Sequence, residues 1–187
     1  MTDPIDAATW ALPVEGRHLR SDTFGGQIEA ERPPTLVAFL RHLGCTFCRE
    51  MVRDLRAARE RRAGFPPVLL VHQGDAAAGE AFFARFWPDA VAIGDPARHL
   101  YDAFGIGRAT LRQGFGPAVW PCGIRAVAKG NGVGRTIGDP WRMPGAFLVR
   151  PDRSIAWRHT FRHVGDQPDW ASVPNDAAIG VGGAARA

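Results

Sequence analysis

Short apolar segments alternate with helical segments in the middle of the chain, and this alternation restricts the fold more than any other feature of the sequence. Three runs have the length and apolar content of buried strands: TLVAFL (35–40), PPVLLVHQG (66–74) and AVAIGDP (90–96). Each is followed by a segment of helical character: 46–64, 76–88 and 97–106. The order strand, helix, strand, helix, strand, helix predicts an α/β sheet with right-handed crossovers.

A glycine-rich stretch, 107–142, interrupts this alternation. We interpret it as a long insertion that is partly helical over 108–127 and then loops through GNGVGRTIGDP (130–140). After it, GAFLVRPDRSIAWRHT (145–160) predicts a β-hairpin that turns at Pro-Asp-Arg-Ser. We therefore expect a central mixed sheet of about four to five strands, flanked by helices, with the insertion before the last hairpin.

The length of 187 residues fits one domain with a sizeable core. We expect this domain over 21–170, after an N-terminal lead-in over 1–20 and before a flexible tail over 171–187. No apolar run reaches the length of a transmembrane helix, and the acidic start MTDPIDAATW lacks the basic-then-apolar order of a secretory signal. These features predict a cytoplasmic protein that makes no use of a membrane.

The net charge of +4 raises the question of an anionic partner such as a nucleic acid. The arginines that carry the positive charge are scattered along the chain, and the densest run is RAARERRAG (56–64). Glu60 interrupts that run, which also lies in a predicted helix, so the pattern favours a solvated helix face. We therefore expect no nucleic-acid partner.

Two cysteines, Cys45 and Cys48, lie where the first predicted strand gives way to the first predicted helix. A thiol at a helix N-terminus faces unpaired backbone N–H groups and the positive end of the helix dipole, and both favour the thiolate. Arg41 and Arg49 add positive potential, so the thiol pKa should fall below its usual value. The Cys-x-x-Cys spacing on a first turn also allows a disulfide, which favours one attacking and one resolving thiol.

Two other interpretations of the cysteine pair stay open at this point. A zinc site would need two further ligands, for which only Cys122 and the histidines are available, and we expect neither a metal nor another cofactor. A purely structural role, as small buried hydrophobic residues, is the second alternative. Cys122 itself is interpreted as a partly buried free cysteine beside Trp120, with a distant resolving role as its alternative.

The segment VAFLRHLGCTFCRE (37–50) resembles the active-site strand and helix start of the thioredoxin-like superfamily. Three further segments fit the same resemblance in order: IGDPARHLYDAFGI (93–106), GDPWRMPGAFLVRPDRSIAWRH (138–159) and VGDQP (164–168). More narrowly, the chain resembles the peroxiredoxin-like AhpC/TSA family, in the branch that includes selenoprotein-L-type Cys-x-x-Cys members. The resemblance extends over about residues 20 to 170.

This resemblance implies a thioredoxin-like fold and an enzyme that is a thiol–disulfide oxidoreductase or thiol peroxidase. It assigns catalysis to a cysteine pair with four supporting residues: Cys45 and Cys48, with Thr46, Arg49, Met143 and Pro144. Met143–Pro144 would be the superfamily's cis-proline position, facing both cysteines. The implied partners are a peroxide or disulfide substrate and an external dithiol reductant (thioredoxin- or glutathione-like), and a homodimer is compatible with the resemblance.

The chain departs from the typical peroxiredoxin motif Pro-x-x-x-Thr-x-x-Cys. When the motif is aligned on Cys48, its threonine position holds Cys45 and its proline position holds Arg41. The arginine of the family's later strand has no counterpart here, and Arg142 or Arg49 would have to substitute for it. These departures make disulfide exchange a stronger competitor of peroxide reduction.

The resemblance leaves two candidates for the attacking thiol. Analogy with thioredoxins selects Cys45, and analogy with peroxiredoxins selects Cys48. We expect Cys45, because the first cysteine of such a pair is normally the more exposed. A true peroxiredoxin with Cys48 as the peroxidatic residue is the alternative enzyme, and a redox-sensing or binding module without turnover is the non-enzymatic alternative.

Overall fold

The structure is a computed structural model that describes residues 5–31 and 33–175. Within these residues six strands occur: β1 (Glu15–Arg17), β2 (Thr35–Phe39), β3 (Val68–His72), β4 (Val91–Gly94), β5 (Gly145–Val149) and β6 (Ile155–His159). The helices of the same residues are α1 (Ala7–Trp10), α2 (Phe24–Ala30), α3 (Thr46–Arg61), α4 (Ala76–Phe86), α5 (His99–Ala103), α6 (Leu111–Phe115) and α7 (Val119–Ala128). A short 3-10 helix, Trp170–Ser172, follows the last strand.

All the strands join one mixed sheet in the order β1-β4-β3-β2-β5-β6. The three strands β2, β3 and β4 run parallel, while β1, β5 and β6 each pair antiparallel with a neighbour. The helices α3 and α4 connect the parallel strands, since parallel neighbours need a crossover connection. The predicted α/β class, with an insertion before the last hairpin, is confirmed.

The edge strand β1 was not expected. The sheet of the described residues has six strands, so the expectation of about four to five is wrong. The extra strand lies in the lead-in and pairs with β4, with Glu15 opposite Gly94 and Arg17 opposite Ala92. A Cβ on Gly16 would lie 2.0 Å from the carbonyl oxygen of Ala92, so only glycine allows this approach. The strand consists of Glu15, Gly16 and Arg17, which show no alternation of apolar and polar residues. The sequence pattern therefore does not predict it.

Helices cover both faces of the sheet. On one face, the ring of Phe39 in β2 lies 5.1 Å from the ring of Tyr101 in α5 and 5.8 Å from that of Phe147 in β5. Side chains alternate between faces along a strand, so His72 of β3 lies on the other face, where its ring contacts Phe83 of α4. The strands β2, β3 and β5 are buried along their whole length and form the centre of the core.

The insertion contacts the core through a buried carboxylate. Glu50 of α3 is fully buried, and its oxygens accept hydrogen bonds from Arg125 of α7 at 2.9 and 3.0 Å. Lys129, directly after α7, lies 3.0 Å from the same carboxylate, and Gln167 donates to it at 3.3 Å. Since a buried carboxylate requires such partners, the ion pairs fix α7 against the outer side of α3.

The predicted bounds of the N-terminal lead-in (1–20) and of the C-terminal tail (171–187) stay predictions. The lead-in supplies β1, so it takes part in the sheet. Of the flexible tail expected over 171–187, residues 176–187 lie outside the described residues. The beginning of that stretch is ordered locally, because the 3-10 helix is capped by the Asp169 carboxylate, which accepts from the N–H of Ala171 at 3.0 Å.

Replacing Glu50 by Gln is expected to lower the free energy of unfolding by about 1–3 kcal/mol at neutral pH. Burial raises the pKa of Glu50, but the hydrogen bonds and charges of Arg125 and Lys129 outweigh it and hold this pKa below its usual value. Because the folded-state pKa is lowered, the ionised Glu50 contributes its full stabilisation above the unfolded pKa of about 4.3. This stabilisation is lost as the pH falls through the folded-state pKa. Urea denaturation of both proteins at neutral and acidic pH measures this.

The matched control for this prediction is Glu60→Gln on the exposed side of the same helix. Glu60 pairs with Arg56 at 2.8 Å, and its side chain is 61% exposed. Its loss should change the free energy of unfolding by less than about 0.5 kcal/mol. Equal effects of the two substitutions would show that the buried ion pairs do not hold the insertion.

Candidate active site

The two cysteines lie at the predicted junction of strand and helix. After β2 ends, a short loop leads to Cys45, which is the N-cap residue of α3, and Cys48 lies in the first turn of that helix. Both thiols are free, and the exposed fraction is 4% for Cys45 and 1% for Cys48. The expected helix-N-terminal position is therefore confirmed, although both sulfurs are more buried than a surface motif would be.

A cavity of about 370 Å³ opens onto one of the two cysteines. Cys45 lines this cavity and Cys48 does not. Part of its wall is apolar and is supplied largely by the insertion, through Phe115, Val133 and Trp141. We call this space the Cys45 cavity. Of the two cysteines, Cys45 is therefore the one next to open space.

The surroundings drive the acidities of the two thiols in opposite directions. A hydrogen bond from the Cys48 thiol is the main cause that lowers the pKa of Cys45 to about 6; burial opposes it, and Arg41 and the N–H groups of Phe47 and Cys48 add to the lowering. Burial, followed by the hydrogen bond to Cys45, raises the pKa of Cys48 well above its usual value. At neutral pH this leaves a thiolate on Cys45 and a proton on Cys48.

Arg41 supplies the positive charge next to the thiolate. Its Nη1 lies 3.4 Å from the Sγ of Cys45, and its Nε donates to the carbonyl oxygen of Arg142 at 3.2 Å. A second hydrogen bond, from Nη2 to the carbonyl oxygen of Pro140, holds the other edge of the guanidinium. The segment before β5 thus fixes Arg41 in place, and the residue that occupies the family's proline position contacts the sulfur directly.

Gln73, directly after β3, connects the same elements. Its Nε2 donates to the carbonyl oxygen of Arg41, and its Oε1 accepts from the N–H of Asp139 at 2.8 Å. The carboxyl ends of β2 and β3 lie side by side because the strands are parallel. The buried side-chain amide of Gln73 therefore connects the cysteine loop with the end of the insertion by hydrogen bonds. The sequence around Gln73 contains no pattern that would predict this role.

Two residues that line the Cys45 cavity each carry a buried polar atom with no hydrogen-bond partner among the described residues. These atoms are the hydroxyl oxygen of Thr46 and the Nδ1 of His42. Burial, assisted by the charge of Arg41, lowers the pKa of His42 to about 4, so its ring is neutral at pH 7. Because buried polar atoms are nearly always hydrogen-bonded, these two atoms are candidates for contact with a bound substrate.

The other predicted supporting residues lie outside this cavity. Arg49 donates to the carbonyl oxygen of Gly132 at 2.6 Å and so binds the glycine-rich loop rather than a sulfur. Met143 and Pro144 line a neighbouring cavity of about 330 Å³ that does not include either cysteine. Arg142 pairs with Asp102 at 2.9 Å and does not replace the missing strand arginine at the thiolate.

The prediction of a cis peptide bond between Met143 and Pro144 is wrong, since this bond is trans. The N–H of Met143 donates to the carbonyl oxygen of Gly107 at 3.0 Å, and Pro144 immediately precedes the first residue of β5. This is the ordinary position of a proline at the opening of a strand, where its missing N–H costs nothing. The trans form is also intrinsically favoured by about 0.5–1 kcal/mol.

Cys122 lies in α7, away from the Cys45 cavity. Its Sγ lies 3.6 Å from the carbonyl oxygen of Ala118 and 3.7 Å from the Nη1 of Arg125. Partial burial and the free thiol agree with the interpretation of a packed free cysteine. Trp120, close to Cys122 in sequence, is 70% exposed, whereas Trp141 lines the Cys45 cavity.

The family model described as AhpC/TSA antioxidant enzyme matches residues 51–163, which is more than half of the chain. The chain belongs to this family. The match begins at residue 51, shortly after Cys48, so the family assignment rests on the sequence of residues 51–163 and is independent of Cys45 and Cys48. Among curated proteins, none matches the sequence.

Solved structures give the same fold. The bacterioferritin comigratory protein of Xanthomonas campestris matches with a TM-score of 0.54 and 16% identity, covering 86% of this chain and 87% of that chain. A cysteine-to-serine variant of peroxiredoxin Q from the same organism matches with a TM-score of 0.55 and 16% identity, over 86% of this chain and 87% of that one. The enzyme therefore has the thioredoxin-like fold expected from its sequence.

Two general features of the described residues bear on cofactors and membranes. No group of three or more His, Cys, Asp or Glu side chains among them could hold a metal ion. In the same part of the chain, no helix combines the length and apolar character needed to cross a membrane.

Replacing Arg41 by Gln is expected to raise the pKa of Cys45, because the positive charge 3.4 Å from its sulfur is lost. The rate at which iodoacetamide alkylates Cys45 should fall about three- to tenfold near pH 6.5 and recover at higher pH. Mass spectrometry of the labelled peptide as a function of pH, in a Cys122→Ser background, measures this.

Arg49→Gln is the matched control, because Arg49 lies in the first turns of α3, close to Cys45 in sequence, but donates to a backbone carbonyl. Its alkylation profile should stay close to that of the parent protein. If Arg49→Gln shifted the profile as far as Arg41→Gln, general positive potential rather than the contact of Arg41 would set the thiolate.

Proposed function

We propose that the enzyme reduces a peroxide at Cys45 and regenerates this thiol through Cys48. The Cys45 thiolate attacks the terminal peroxide oxygen, the O–O bond breaks, and the leaving oxygen takes a proton and departs as an alcohol. The product is a sulfenic acid on Cys45. The Cys48 sulfur then attacks the Cys45 sulfur, water leaves, and a disulfide joins the two residues. An external dithiol (thioredoxin- or glutathione-like) reduces this disulfide and completes the cycle.

The opening of the cavity onto Cys45 alone is the observation that carries this proposal. Cys45 combines access, a lowered pKa and the contact with Arg41, whereas Cys48 lies behind it with a raised pKa. This division suits one attacking and one resolving thiol. The alternative with Cys48 as the peroxidatic residue would require the more deeply buried and less acidic thiol to attack first.

An organic hydroperoxide suits the Cys45 cavity better than hydrogen peroxide alone. Phe115, Val133 and Trp141 offer apolar surface for a carbon chain, while Arg41 and Thr46 offer donors for the peroxide oxygens at the other side. The structures of the Xanthomonas campestris protein concern alkyl peroxide reduction, which supports the same substrate class here. A disulfide substrate would have to bring its sulfur to the same Cys45 atom.

The proposal includes a reducing, cytoplasmic environment, because the cycle depends on a supply of dithiol. Repeated turnover separates an enzyme from a redox sensor. An enzyme consumes organic hydroperoxide in proportion to the dithiol supplied, whereas a sensor stops after one equivalent.

Single replacements of the cysteines test the order of attack. Cys45→Ser is expected to abolish peroxide turnover, because the attacking sulfur is lost. Cys48→Ser should still react with one equivalent of peroxide and accumulate a sulfenic acid on Cys45, detectable by dimedone labelling and mass spectrometry. Cys122→Ser serves as the control and should retain full turnover. A Cys45→Ser protein that kept its turnover would exclude Cys45 as the nucleophile.

Thr46→Val tests the unpartnered hydroxyl. Valine keeps the shape of threonine, so the rate constant for oxidation of Cys45 by an organic hydroperoxide should fall about three- to tenfold through loss of one donor. The free energy of unfolding should stay the same or rise, because a buried hydroxyl without a partner is removed. Stopped-flow oxidation and urea denaturation measure the two effects. Thr46→Ser keeps the hydroxyl and should retain the rate; an equal loss in both variants would assign Thr46 to packing alone.

A further inference from the structure

The single tyrosine of the chain, Tyr101, lies beneath the cysteine loop. It is fully buried, and its hydroxyl, which carries a single proton, donates to the nearer carbonyl oxygen, that of Leu40 at 2.5 Å, and lies 3.1 Å from that of Val71. Leu40 is the first residue after β2, and its own N–H donates to Val71 at 2.8 Å. One hydroxyl thus contacts the ends of both strands that carry the active site.

The peptide group that accepts from Tyr101 also contacts a cysteine. The C=O of Leu40 and the N–H of Arg41 belong to one planar peptide unit. That N–H donates to the Sγ of Cys48 at 3.2 Å. A continuous chain of hydrogen bonds therefore runs from the Tyr101 hydroxyl through the Leu40–Arg41 peptide to the Cys48 sulfur.

We propose that Tyr101 is a positioning residue for the resolving step, acting through the Leu40–Arg41 peptide to stabilise the Cys48 thiolate as it attacks Cys45. The inference rests on the roles of Cys45 and Cys48 given under the proposed function and extends them to a residue that touches neither sulfur. It assigns a chemical role to a side chain that would otherwise belong to the core.

The physical basis is the polarisation of an amide that is hydrogen-bonded at both ends. A donor on the carbonyl oxygen makes the N–H of the same peptide a stronger donor, and such cooperativity strengthens each bond by about 10–30%. A stronger N–H donor favours the charged form of the sulfur that accepts from it. This matters at Cys48, because burial, the largest cause, raises the pKa of its thiol and makes its ionisation less favourable.

The hydroxyl remains a donor throughout the working pH range. Burial is the main cause that raises the pKa of Tyr101 well above its usual value, and the Asp95 carboxylate, together with Cys48 when it is ionised, acts in the same direction. Asp95 also fixes the residue from its backbone side, since its carboxylate accepts from the N–H groups of Leu100 and Tyr101 at 2.9 and 3.4 Å. Arg142 is the cation that opposes this shift.

The resolving step can be isolated from peroxide chemistry with dithiodipyridine, in a Cys122→Ser background. The Cys45 thiolate first breaks the S–S bond of the reagent, forms a mixed disulfide and releases one thiopyridone. Cys48 then loses its proton and attacks the Cys45 sulfur; the Cys45–Cys48 bond forms and the second thiopyridone leaves. Stopped-flow absorbance records the two releases as a fast and a slow phase, so the slow phase reports Cys48.

Tyr101→Phe is expected to slow the second phase about two- to fivefold at neutral pH and to move its pH profile upward, with the first phase unchanged. Phe104→Leu is the matched packing control. Phe104 contacts Phe39 in the same aromatic cluster, 4.9 Å between ring centroids, and donates no side-chain hydrogen bond. The Phe104→Leu substitution should lower the free energy of unfolding and leave the pH profile of the slow phase unchanged.

A second perturbation decides the question even if Tyr101→Phe fails to fold. Because the chain has one tyrosine, growth on fluorotyrosine replaces this residue alone. The fluorinated phenol is more acidic and donates a stronger hydrogen bond, so the slow phase should become faster, opposite to the effect of removing the hydroxyl. A purely structural role would not reverse sign in this way.

The outcomes separate the two proposals. Absence of both phases in the parent protein would overturn the proposed function. Two phases in the parent protein, with a slow phase that fluorotyrosine leaves unchanged, would overturn the role of Tyr101 alone. Opposite changes of the slow phase in the Phe and fluorotyrosine proteins are the expected result.

Discussion

A buried thiolate is unfavourable unless charges and hydrogen-bond donors surround it, and the organisation of this protein follows from that constraint. Cys45 is almost fully buried, yet its pKa is lowered because the Cys48 thiol donates to its sulfur and Arg41 contacts it. The same hydrogen bond, together with burial, raises the pKa of Cys48 and so keeps its thiol protonated. Two chemically identical side chains thereby acquire different protonation states.

The insertion supplies what the basic fold lacks at this site. It provides apolar wall for the Cys45 cavity through Phe115, Val133 and Trp141, and its last residues hold the Arg41 guanidinium. The insertion is itself held by the ion pairs of the buried Glu50 with Arg125 and Lys129. The apolar wall of the cavity and the position of Arg41 therefore both depend on a segment that the sequence pattern describes only as glycine-rich and irregular.

Much of the architecture could be predicted because it depends on local patterns. The runs at 35–40, 66–74 and 90–96 became β2, β3 and β4, since buried parallel strands must be continuously apolar. The hairpin and the α3 helix follow equally local signals. The edge strand β1 could not be found this way, because it exists only through its pairing with β4. The expectation of a cis bond before Pro144 came from the family resemblance, whereas the trans bond that is found is the intrinsically favoured form.

The sequence by itself determined the family resemblance, the α/β class and the position of Cys45 and Cys48 at a helix N-terminus, because each depends on residues close together in the chain. Only the tertiary structure decided which thiol meets the cavity and which groups set its acidity. Arg41, Tyr101 and the residues before β5 are separated by long stretches of sequence, and hydrogen bonds between them form only when the strand ends come together. The difference between the two cysteines is therefore a property of the folded chain and not of the motif.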